Sequence, residues 1–258
     1  KLFSVADQVV LVVGASRGIG RALAQGFAER DAQVLIAGRE ANTLAQTAKE
    51  ISKGKYPVSF EVCDVAKPED IARLVKSVIG KFGHIDTLVS VAGVNKRMKA
   101  EDYAIEEYDW ILNINLRGAF VLAQAVGRHM IERKSGAIIN IDSLNTYAPL
   151  AGVTPYAISK AGVLMMTRSL ANEWGKHGVR VNSIAPGFFP TALSKKLWEQ
   201  EKMTNWAKAN TPLGRLGDVK ELVGTAIYLA SPASAFVTGQ TLRVDGGVTA
   251  GISWPVEI

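Results

Sequence analysis

The sequence has a single cysteine and no long apolar run, and each of these absences excludes a class of protein. Cys63 has no second cysteine with which to form an internal disulfide, which favours a reducing compartment. The longest apolar stretch near the N-terminus, Val9 to Val13, is far below the ~20 residues that span a bilayer. No signal peptide is visible, so we expect a cytoplasmic protein without membrane contact.

Blocks of like charge are also missing. The formal net charge is +6 at pH 7, but the basic residues stand in short groups, at 95–99 and 128–134, and Glu132 interrupts the second. Nucleic-acid-binding proteins usually gather such charge in one patch or run. We therefore expect no nucleic-acid partner and assign the charge to solvated surface, with a small anionic ligand still compatible.

What the sequence does contain is an alternation of short β-rich runs with segments whose apolar residues lie three and four positions apart. This alternation is typical of βαβ units, in which helices cover both faces of a parallel sheet. The predicted strands are Val9–Val13, Gln33–Ala37, Val58–Val62, Thr87–Val91, Ala137–Ile141, Arg180–Ile184 and Thr241–Val244. The predicted helices are Arg21–Arg30, Glu40–Ser52, Glu69–Phe82, Leu116–Arg133, Pro155–Lys176 and Val219–Ala230.

Seven such strands predict one doubly wound, parallel α/β sheet of the Rossmann type. Capping residues agree, because Pro68 and Asp218 stand at predicted helix starts and Gly83 follows a predicted helix end. No repeat or linker divides the chain, so 1–258 is expected to be a single dinucleotide-binding catalytic domain. One long connection, from Pro186 to Leu216, predicts a substrate-loop insertion at about 187–216.

A glycine-rich turn joins the first predicted strand to the first predicted helix. Glycines in such a turn let backbone N–H groups approach a pyrophosphate, which then lies at the positive end of the helix. The spacing is G-x-x-x-G-x-G. The predicted cofactor contacts in this turn are Gly14, Ser16, Arg17, Gly18, Ile19 and Gly20.

The same residues also fit the nucleophile elbow of serine hydrolases, Gly14-x-Ser16-x-Gly18. In those enzymes the acid and then the histidine follow the nucleophile, which lies well inside the sheet. None of the three histidines here, His84, His129 and His177, lies near the C-terminus. We therefore favour a phosphate cradle, and since no ligand spacing links the histidines we expect no metal site.

The end of the second predicted strand gives another nucleotide signal. Proteins that bind NAD place a carboxylate there, on the adenosine ribose 2′-hydroxyl. This chain has Gly38-Arg39 instead, and Arg39 together with Arg17 can clamp a 2′-phosphate through charge-assisted hydrogen bonds. The sequence therefore predicts NADP rather than NAD, the alternative being two solvated arginines.

A tyrosine and a lysine four residues apart, Tyr156 and Lys160, follow Ser143 at the end of a predicted strand. On a helix this spacing puts both side chains on one face, one turn apart. A phenol has an ordinary pKa of about 10 and transfers protons poorly at neutral pH unless its anion is stabilised. The lysine cation and an oxidised nicotinamide are both suited to that purpose, and the alternative is a chance pair on a packed helix.

Taken together, these motifs resemble those of the short-chain dehydrogenase/reductase family, and the resemblance extends from Gln8 to Gly247. That family has a glycine turn, an Asn-Asn-Ala-Gly segment, an Asn in the next helix, a Ser, a Tyr-x-x-x-Lys pair and a Pro-Gly segment, in this order. The matching residues are Gly14, Gly18, Gly20, Asp64-Val65, Ala92-Gly93, Asn115, Ser143, Tyr156, Lys160, Pro186-Gly187 and Thr191.

The resemblance implies a role for each match. Tyr156 would be the general acid and base, and Ser143 would hydrogen-bond the substrate oxygen. Lys160 would hold the cofactor ribose, Asn115 would keep a water in a proton relay to solvent, and Thr191 would hold the nicotinamide carboxamide. The further cofactor contacts that it implies are Asp64, Val65, Ala92, Gly93, Tyr156, Lys160, Pro186, Gly187, Phe189 and Thr191.

Three departures from the family pattern stand out. Val13 replaces a Thr and Ser90-Val91 replaces Asn-Asn, which removes side-chain hydrogen bonds between the turn and the fourth strand and predicts altered rigidity. Asp142 stands where a small residue is usual. Strand alternation predicts that it points away from Ser143. If it faces the cleft instead, its charge would raise the pKa of Tyr156 and move the pH optimum upward.

Within the family, the chain is most similar to the gluconate 5-dehydrogenase-like group that acts on sugar acids and polyols. The segments that resemble this group are 2–4, 96–97, 101–103, 128–130, 132–134 and 211–215. Lys96 and Arg97 are predicted to meet a substrate carboxylate at the cleft mouth, and an ordinary basic loop is the alternative. Asn145, with Ser143 and Tyr156, completes the predicted substrate contacts. Tyr147, Trp198 and Trp206 are pocket walls or core-packing residues.

The sequence thus predicts an NADP-dependent oxidoreductase that interconverts a secondary alcohol and a ketone, on a sugar acid or polyol. The alternatives are a 3-oxoacyl thioester reductase, a general carbonyl reductase, the serine hydrolase and a nucleotide sensor without turnover. The resemblance also implies a homotetramer assembled through the long helices at Leu116 and Pro155.

Overall fold

The computed structural model of the chain describes residues 1–191 and 194–251, with the side chain of Lys195 excepted. Seven parallel strands form one sheet in the order β3-β2-β1-β4-β5-β6-β7. Their bounds are β1 Val9–Val13, β2 Gln33–Gly38, β3 Ser59–Val62, β4 Thr87–Ser90, β5 Gly136–Ile141, β6 Val179–Pro186 and β7 Thr241–Val244. The predicted doubly wound sheet is confirmed, and each strand ends within two residues of its predicted bounds.

Helices cover both faces of the sheet. Their bounds are α1 Gly18–Ala28, α2 Ala41–Ile51, α3 Pro68–Phe82, α4 Ile105–Leu112, α5 Ala119–Arg133, α6 Thr154–Trp174, α7 Lys195–Trp198, α8 Glu201–Ala209 and α9 Val223–Ala230. One core layer joins the sheet to α3, α5 and α6, and the other joins it to α1, α2 and α9. Within the described ranges, no helix is both long and apolar enough to cross a bilayer.

Three helices escaped prediction because they bury little. Ile111 is the buried residue of α4 and Ala207 that of α8, so neither helix has a clear apolar stripe. The predicted helix from Leu116 to Arg133 divides, since a π-helical segment at Asn113–Gly118 precedes α5. The predicted helix from Val219 likewise starts with a 3₁₀ turn, whose first residue follows an Asp218 capping box.

The strand order reverses beside β1, which pairs with β2 on one side and β4 on the other. Val13, the last residue of β1, lies level with Ala37 and Ser90. The carboxyl ends of the central strands therefore open into one crevice, the usual position of a ligand in this fold.

Candidate active site

The glycine turn fits closely against two neighbouring strand ends. The amides of Gly14 and Ala15 donate to Ala37 O at 2.8 and 3.2 Å. A side chain on Gly20 would begin 2.2 Å from Gly14 O, and one on Gly14 would begin 2.5 Å from Ala92 N. Gly14 also has φ +90°, so only glycine fits there without strain. The turn leaves its backbone open towards the crevice, as a pyrophosphate cradle requires.

The departures at Val13 and Ser90-Val91 leave the turn tied to β4 through its backbone. The amides of Val91 and Ala92 both donate to Val13 O, at 2.9 and 3.0 Å. Main-chain hydrogen bonds therefore hold the crevice together at the point where the family pattern has polar side chains.

Two exposed arginines lie at the ends of neighbouring elements of this crevice. Arg17 precedes α1, and Arg39 directly follows β2. Thr47 of α2 donates to Ser16 O at 2.9 Å, which holds the turn beside the end of β2. The arrangement suits recognition of a phosphate at this edge.

The predicted adenine-side residues surround the next strand end. Asp64 Oδ1 accepts from Ala66 N at 3.0 Å and its own amide donates to Asp70 Oδ2 at 3.0 Å, so the segment after β3 is ordered. Val65 is buried against Gly118, where a side chain would begin 2.7 Å from Val65 O. Asp64 and Val65 thus flank the crevice on the β3 side.

Asn115 lies in the π-helical segment and joins β4 to α6. Its Oδ1 accepts from Val94 N at 2.7 Å, while its Nδ2 donates to Val94 O at 2.9 Å and to Ser159 Oγ at 3.1 Å. A side chain on Gly93 would begin 3.4 Å from Asn115 Oδ1 and 3.8 Å from Lys160 Nζ. These three predicted residues therefore meet, and π-helical turns often mark functional sites.

Ser143 is buried at the carboxyl end of β5 with its hydroxyl held from one side. Its Oγ accepts from Asn145 N at 3.1 Å and from Asn145 Nδ2 at 3.2 Å. Asn145 Oδ1 in turn accepts from Leu150 N at 2.9 Å. Asn145 therefore orients Ser143 and shapes the following loop.

Lys160 is buried, with 4% of its surface exposed. Its Nζ donates to Ile141 O at 2.7 Å and lies 5.7 Å from the centre of the Tyr156 ring. Burial lowers the pKa of Lys160 to about 8, which the nearby Asp142 charge opposes. Tyr156 lies one helical turn earlier, and Ser143 acts to lower its pKa.

The pKa of Tyr156 is raised in the chain by itself. Burial is the largest cause, and the negative charge of Asp142 adds to it, while the hydrogen bond with Ser143 acts in the opposite direction. The Lys160 ammonium is directed at Ile141 O, so it does not offset the burial of the phenol. Lys160 is thus not among the groups that lower the pKa of Tyr156 in this structure, and stabilisation of the phenolate by the lysine cation together with an oxidised nicotinamide stays a prediction.

Asp142, which strand alternation predicts to point away from Ser143, is buried and lies within electrostatic reach of the site. It is 2% exposed and acts electrostatically on both Tyr156 and Lys160. Burial raises its own pKa to about 6, although a hydrogen bond from Thr146 and the Lys160 charge oppose that shift.

The segment after β6 returns to the glycine turn. Gly187 N donates to Val244 O at 3.0 Å, and Pro186 ends β6. A side chain on Gly18 would begin 3.5 Å from Thr191 Cβ, so the predicted nicotinamide contact lies beside the cradle. Phe189 packs its ring into the core, and Ile19 contacts the same core layer, which leaves their backbones for any cofactor contact.

Lys96 and Arg97 differ in their surroundings. Lys96 forms an ion pair with Glu107 of α4. Arg97 is exposed, and no ion pair links it to another residue in the described part of the chain. Of the two predicted carboxylate contacts, Arg97 is the one whose charge is not already matched.

The aromatic residues of the insertion form a small cluster at the crevice. The Phe188 ring meets Trp198 and Trp206 edge to face, with centroids 5.7 and 5.6 Å apart. Tyr147 lies under the guanidinium of Arg243 at 5.2 Å. Residues 192–193 of the insertion are outside the described ranges.

Two residues with roles near the site were missed from the sequence. Ser159 is buried between Tyr156 and Asn115, donating to Tyr156 O at 2.7 Å and accepting from Asn115. Ser194 accepts from Trp198 Nε1 at 2.9 Å and from Thr191 N at 3.2 Å. Only the polar residue inside Tyr-x-x-x-Lys was a signal for Ser159, and Ser194 had none.

The histidines lie near the amino ends of the strands, whereas Ser16 follows the carboxyl end of β1. His84 Nε2 is 3.0 Å from Asp86 Oδ2, just before β4 begins, and His177 precedes β6. His129 lies near the end of α5, which leads into the start of β5. The serine-hydrolase alternative is therefore excluded, because no histidine reaches the candidate nucleophile.

A dinucleotide cradle beside a linked Ser, Tyr and Lys group is the arrangement of a nicotinamide-dependent oxidoreductase. A family model described as enoyl-(acyl carrier protein) reductase matches residues 14–249. The chain belongs to the short-chain dehydrogenase/reductase family.

Its relatives within that family include enzymes of sugar-acid chemistry. The chain is 39% identical over 251 residues to the gluconate 5-dehydrogenase of Gluconobacter oxydans, covering 97% of this chain and 98% of that protein. It is 36% identical over 251 residues to the 5-keto-D-gluconate 5-reductase of Escherichia coli, covering 97% and 99%. The gluconate 5-dehydrogenase from Burkholderia cenocepacia, solved in complex with NADP and tartrate, superposes with a TM-score of 0.94 at 37% identity, covering 97% and 98%.

Proposed function

We propose that the chain is an NADP-dependent oxidoreductase that interconverts a secondary alcohol and a ketone on a sugar acid or polyol. The observation that carries the proposal is the meeting of Ser143, at the end of β5, with Tyr156 and Lys160 of α6, where the Lys160 ammonium lies 5.7 Å from the centre of the Tyr156 ring. The similarity to gluconate 5-dehydrogenases supports the substrate class.

NADP, when bound, supplies or accepts the hydride at its nicotinamide ring. The residues of the crevice fit this group, because Gly14 and Gly20 let the turn pack tightly against Ala92 and against itself, and Thr191 lies beside Gly18. Arg39, with Arg17, binds the 2′-phosphate through charge-assisted hydrogen bonds. NADP is therefore preferred over NAD.

The chain's own polar groups manage the proton. Tyr156 exchanges a proton with the substrate oxygen, and Ser143 hydrogen-bonds the same oxygen. Lys160 holds the cofactor ribose and adds positive charge near the phenol. The side chain of Asn115 links the segment after β4 to α6 through hydrogen bonds at both its oxygen and its nitrogen. Because these side-chain atoms are already engaged, the main chain of Asn115 holds the relay water.

The insertion at about 187–216 forms the substrate wall of the single domain. Phe188, Trp198 and Trp206 give it an apolar lining, and Arg97 on the opposite loop binds the carboxylate of a sugar acid. Lys96 contributes less, because Glu107 already matches its charge.

The functional unit in this proposal is a homotetramer. Leu116, Phe120 and Met166 line one groove at the junction of the π-helical segment, α5 and α6, together with Trp110 of α4. Trp110 and Phe120 are each 42% exposed, and a second copy of the chain would cover them. The cytoplasmic location expected from the single cysteine stays a prediction.

The test is NADPH oxidation, followed by absorbance, with purified protein and a panel of ketones. The panel contains 5-ketogluconate, neutral keto sugars, a 3-oxoacyl thioester and simple diketones. Turnover of the keto-sugar acid supports the proposal. Turnover confined to the thioester or the diketones would overturn the substrate class, and NADPH binding without turnover on any ketone would favour a nucleotide sensor.

A matched pair of variants tests the carboxylate contact. Arg97→Ala should raise KM for 5-ketogluconate and leave KM for neutral keto sugars unchanged, because only the acid needs the cation. Lys96→Ala removes a charge from the same loop and should have the smaller effect. Equal effects of Arg97→Ala on acidic and neutral ketones would leave Arg97 without this role.

A further inference from the structure

Asp142 is a buried residue that stands between Ile141 and Ser143 at the end of β5. The carbonyl oxygen of Ile141, on one side, accepts a hydrogen bond from the Lys160 ammonium at 2.7 Å. On the other side stands Ser143. The amide of Asp142 donates to Ile184 O of β6 at 2.7 Å. The backbone of Asp142 is therefore held by β6, so the side chain has no route to solvent by a shift of the strand end.

The side chain has an uneven set of partners. Oδ1 accepts from Thr146 Oγ1 at 2.7 Å. Oδ2 is buried and has no hydrogen-bond donor among the described residues. A buried carboxylate with one unsatisfied oxygen is costly, and natural proteins usually keep such a group only where its charge has a use.

Two titratable groups of α6 lie beside Asp142. The Lys160 ammonium is 2.7 Å from the carbonyl oxygen of Ile141, the residue before Asp142, and 5.7 Å from the centre of the Tyr156 ring. The charge of Asp142 acts on both groups. The turn at Leu144–Thr146 offers the uncharged Thr146, and β6 presents the main chain of Ile184. Asp142 is thus a third ionisable member of the Tyr156 and Lys160 cluster.

We propose that Asp142, fixed by Thr146, is a positioning residue whose negative charge favours the protonated form of Tyr156. The proposal rests on the acid and base role proposed above for Tyr156. The charge of Asp142 attracts the Lys160 ammonium and opposes a second negative charge on the phenol.

This charge favours one protonation state over the pH range in which it is present. The pKa of Asp142 is about 6, so the carboxylate is ionised above that pH. There it adds to the effect of burial and raises the pKa of Tyr156 further, which favours the protonated phenol, the form that donates a proton when a ketone is reduced. Oxidation of an alcohol needs the tyrosinate, so Asp142 moves that direction to more alkaline pH and extends the pH range of ketone reduction.

The first measurement does not depend on turnover. The tyrosinate absorbance of the full chain is titrated in the wild-type protein and in Asp142→Asn, and the same titrations in a Tyr156→Phe background are subtracted to isolate Tyr156. The Tyr156 titration should shift to lower pH in Asp142→Asn. Asp142→Ser should give the same direction of shift and replaces the Asn variant if that variant fails to fold.

Asp86→Asn is the matched control, because Asp86 is also a hydrogen-bonded carboxylate but lies just before the start of β4, at the other end of the strands from Asp142. It should leave the Tyr156 titration unchanged. An unchanged titration in both Asp142 variants, or an equal shift in Asp86→Asn, would overturn the proposal and leave Asp142 as a structural residue.

The pH profile of kcat supplies the second readout. In Asp142→Asn, the acidic limb of alcohol oxidation and the basic limb of ketone reduction should both move to lower pH. Failure of the proposed function can be told apart from failure of this proposal. Full turnover in Tyr156→Phe would show that Tyr156 is not the acid and base. The absorbance titration would still report whether Asp142 acts on the phenol. Profiles that keep their position while only kcat falls would contradict the proposal.

Discussion

At the scale of single residues, the site depends on hydroxyl and ammonium groups that are held by neighbours rather than left free. Asn145 orients Ser143, Ile141 O holds Lys160, and Ser159 links Tyr156 to Asn115. Such preorganisation lets the groups act without reorganising when a ketone or an alcohol binds. Loss of a single hydroxyl should therefore remove chemistry and leave binding in place.

Tyr156→Phe tests this directly. It removes the proton donor, and we expect kcat to fall by roughly 10²–10⁴-fold, the range of general acid and base catalysis. NADPH binding, measured by fluorescence titration, should survive because the ring and Lys160 remain. Tyr147→Phe removes a hydroxyl at the cleft outside the proposed proton path and should change kcat little. Undiminished turnover in Tyr156→Phe would remove it from the mechanism.

Asp142 also makes stability depend on pH. Folding raises its pKa from 3.8 to about 6, so the folded chain binds this proton more tightly, and stability is lost as the pH rises from about 4 to 6. Asp142→Asn has no such loss. Relative to wild type, its free energy of unfolding should rise by about 2 kcal/mol between pH 4 and pH 7, measured by urea denaturation.

Asp70→Asn gives the opposite sign and serves as the control for that measurement. The Asp64 amide and Arg73 lower the pKa of Asp70, so its contribution is present above about pH 4 and is lost as the pH falls further. Its Asn variant should lose stability at neutral pH relative to wild type. A pH-independent effect of Asp142→Asn would contradict the buried, ionised carboxylate.

At the scale of elements, the join between β1 and α1 decides whether the cradle forms. Gly20→Ala places a Cβ 2.2 Å from Gly14 O and 2.9 Å from Ala15 Cα, and these backbone atoms belong to the cradle itself. We expect weaker NADP binding by calorimetry and a lower thermal midpoint. Gly80→Ala is the matched control, because no atom lies within 4 Å of its Cβ in α3. It should stabilise the chain by roughly 0.5–1 kcal/mol and leave NADP affinity unchanged.

The end of β2 is the second element that can be tested. Arg39→Glu should weaken NADP far more than NAD, because only NADP carries the 2′-phosphate that the guanidinium would bind. Arg30→Glu, at the far end of α1, makes the same change in charge away from the crevice and should affect both cofactors little. Equal losses for NADP and NAD in Arg39→Glu would show that no 2′-phosphate is bound there.

At the scale of the whole molecule, the chain leaves large apolar side chains exposed on α4 and α5. Phe120→Arg should lower the molecular mass measured by light scattering, because a buried charge at a subunit contact is costly. Phe60, on the edge strand β3, is 40% exposed and lies outside that groove, so Phe60→Arg is the matched control. An unchanged mass in Phe120→Arg would place any assembly on another face.

The sheet could be predicted from the sequence because apolar strand runs are local features. The cradle and the Ser143, Tyr156 and Lys160 group were proposed from local motifs together with the family resemblance. Three patterns can be recognised from neighbouring residues alone: the apolar strand runs, the glycine turn after β1 and the tyrosine four residues before a lysine. The short helices α4, α7 and α8 were not predictable in this way, since they bury almost nothing of their own.

Only the tertiary structure decided how the charges of the site act on one another. Residues distant in sequence set the pairing of Lys96 with Glu107, the contact of Thr191 with the cradle and the reach of Asp142 to Tyr156 and Lys160. Burial and charge–charge distance determine a pKa, and both arise when β5, β6 and α6 pack together. The sequence therefore predicted which groups are catalytic, whereas their pKa values depend on how the chain packs, because burial and neighbouring charges arise only in the folded chain.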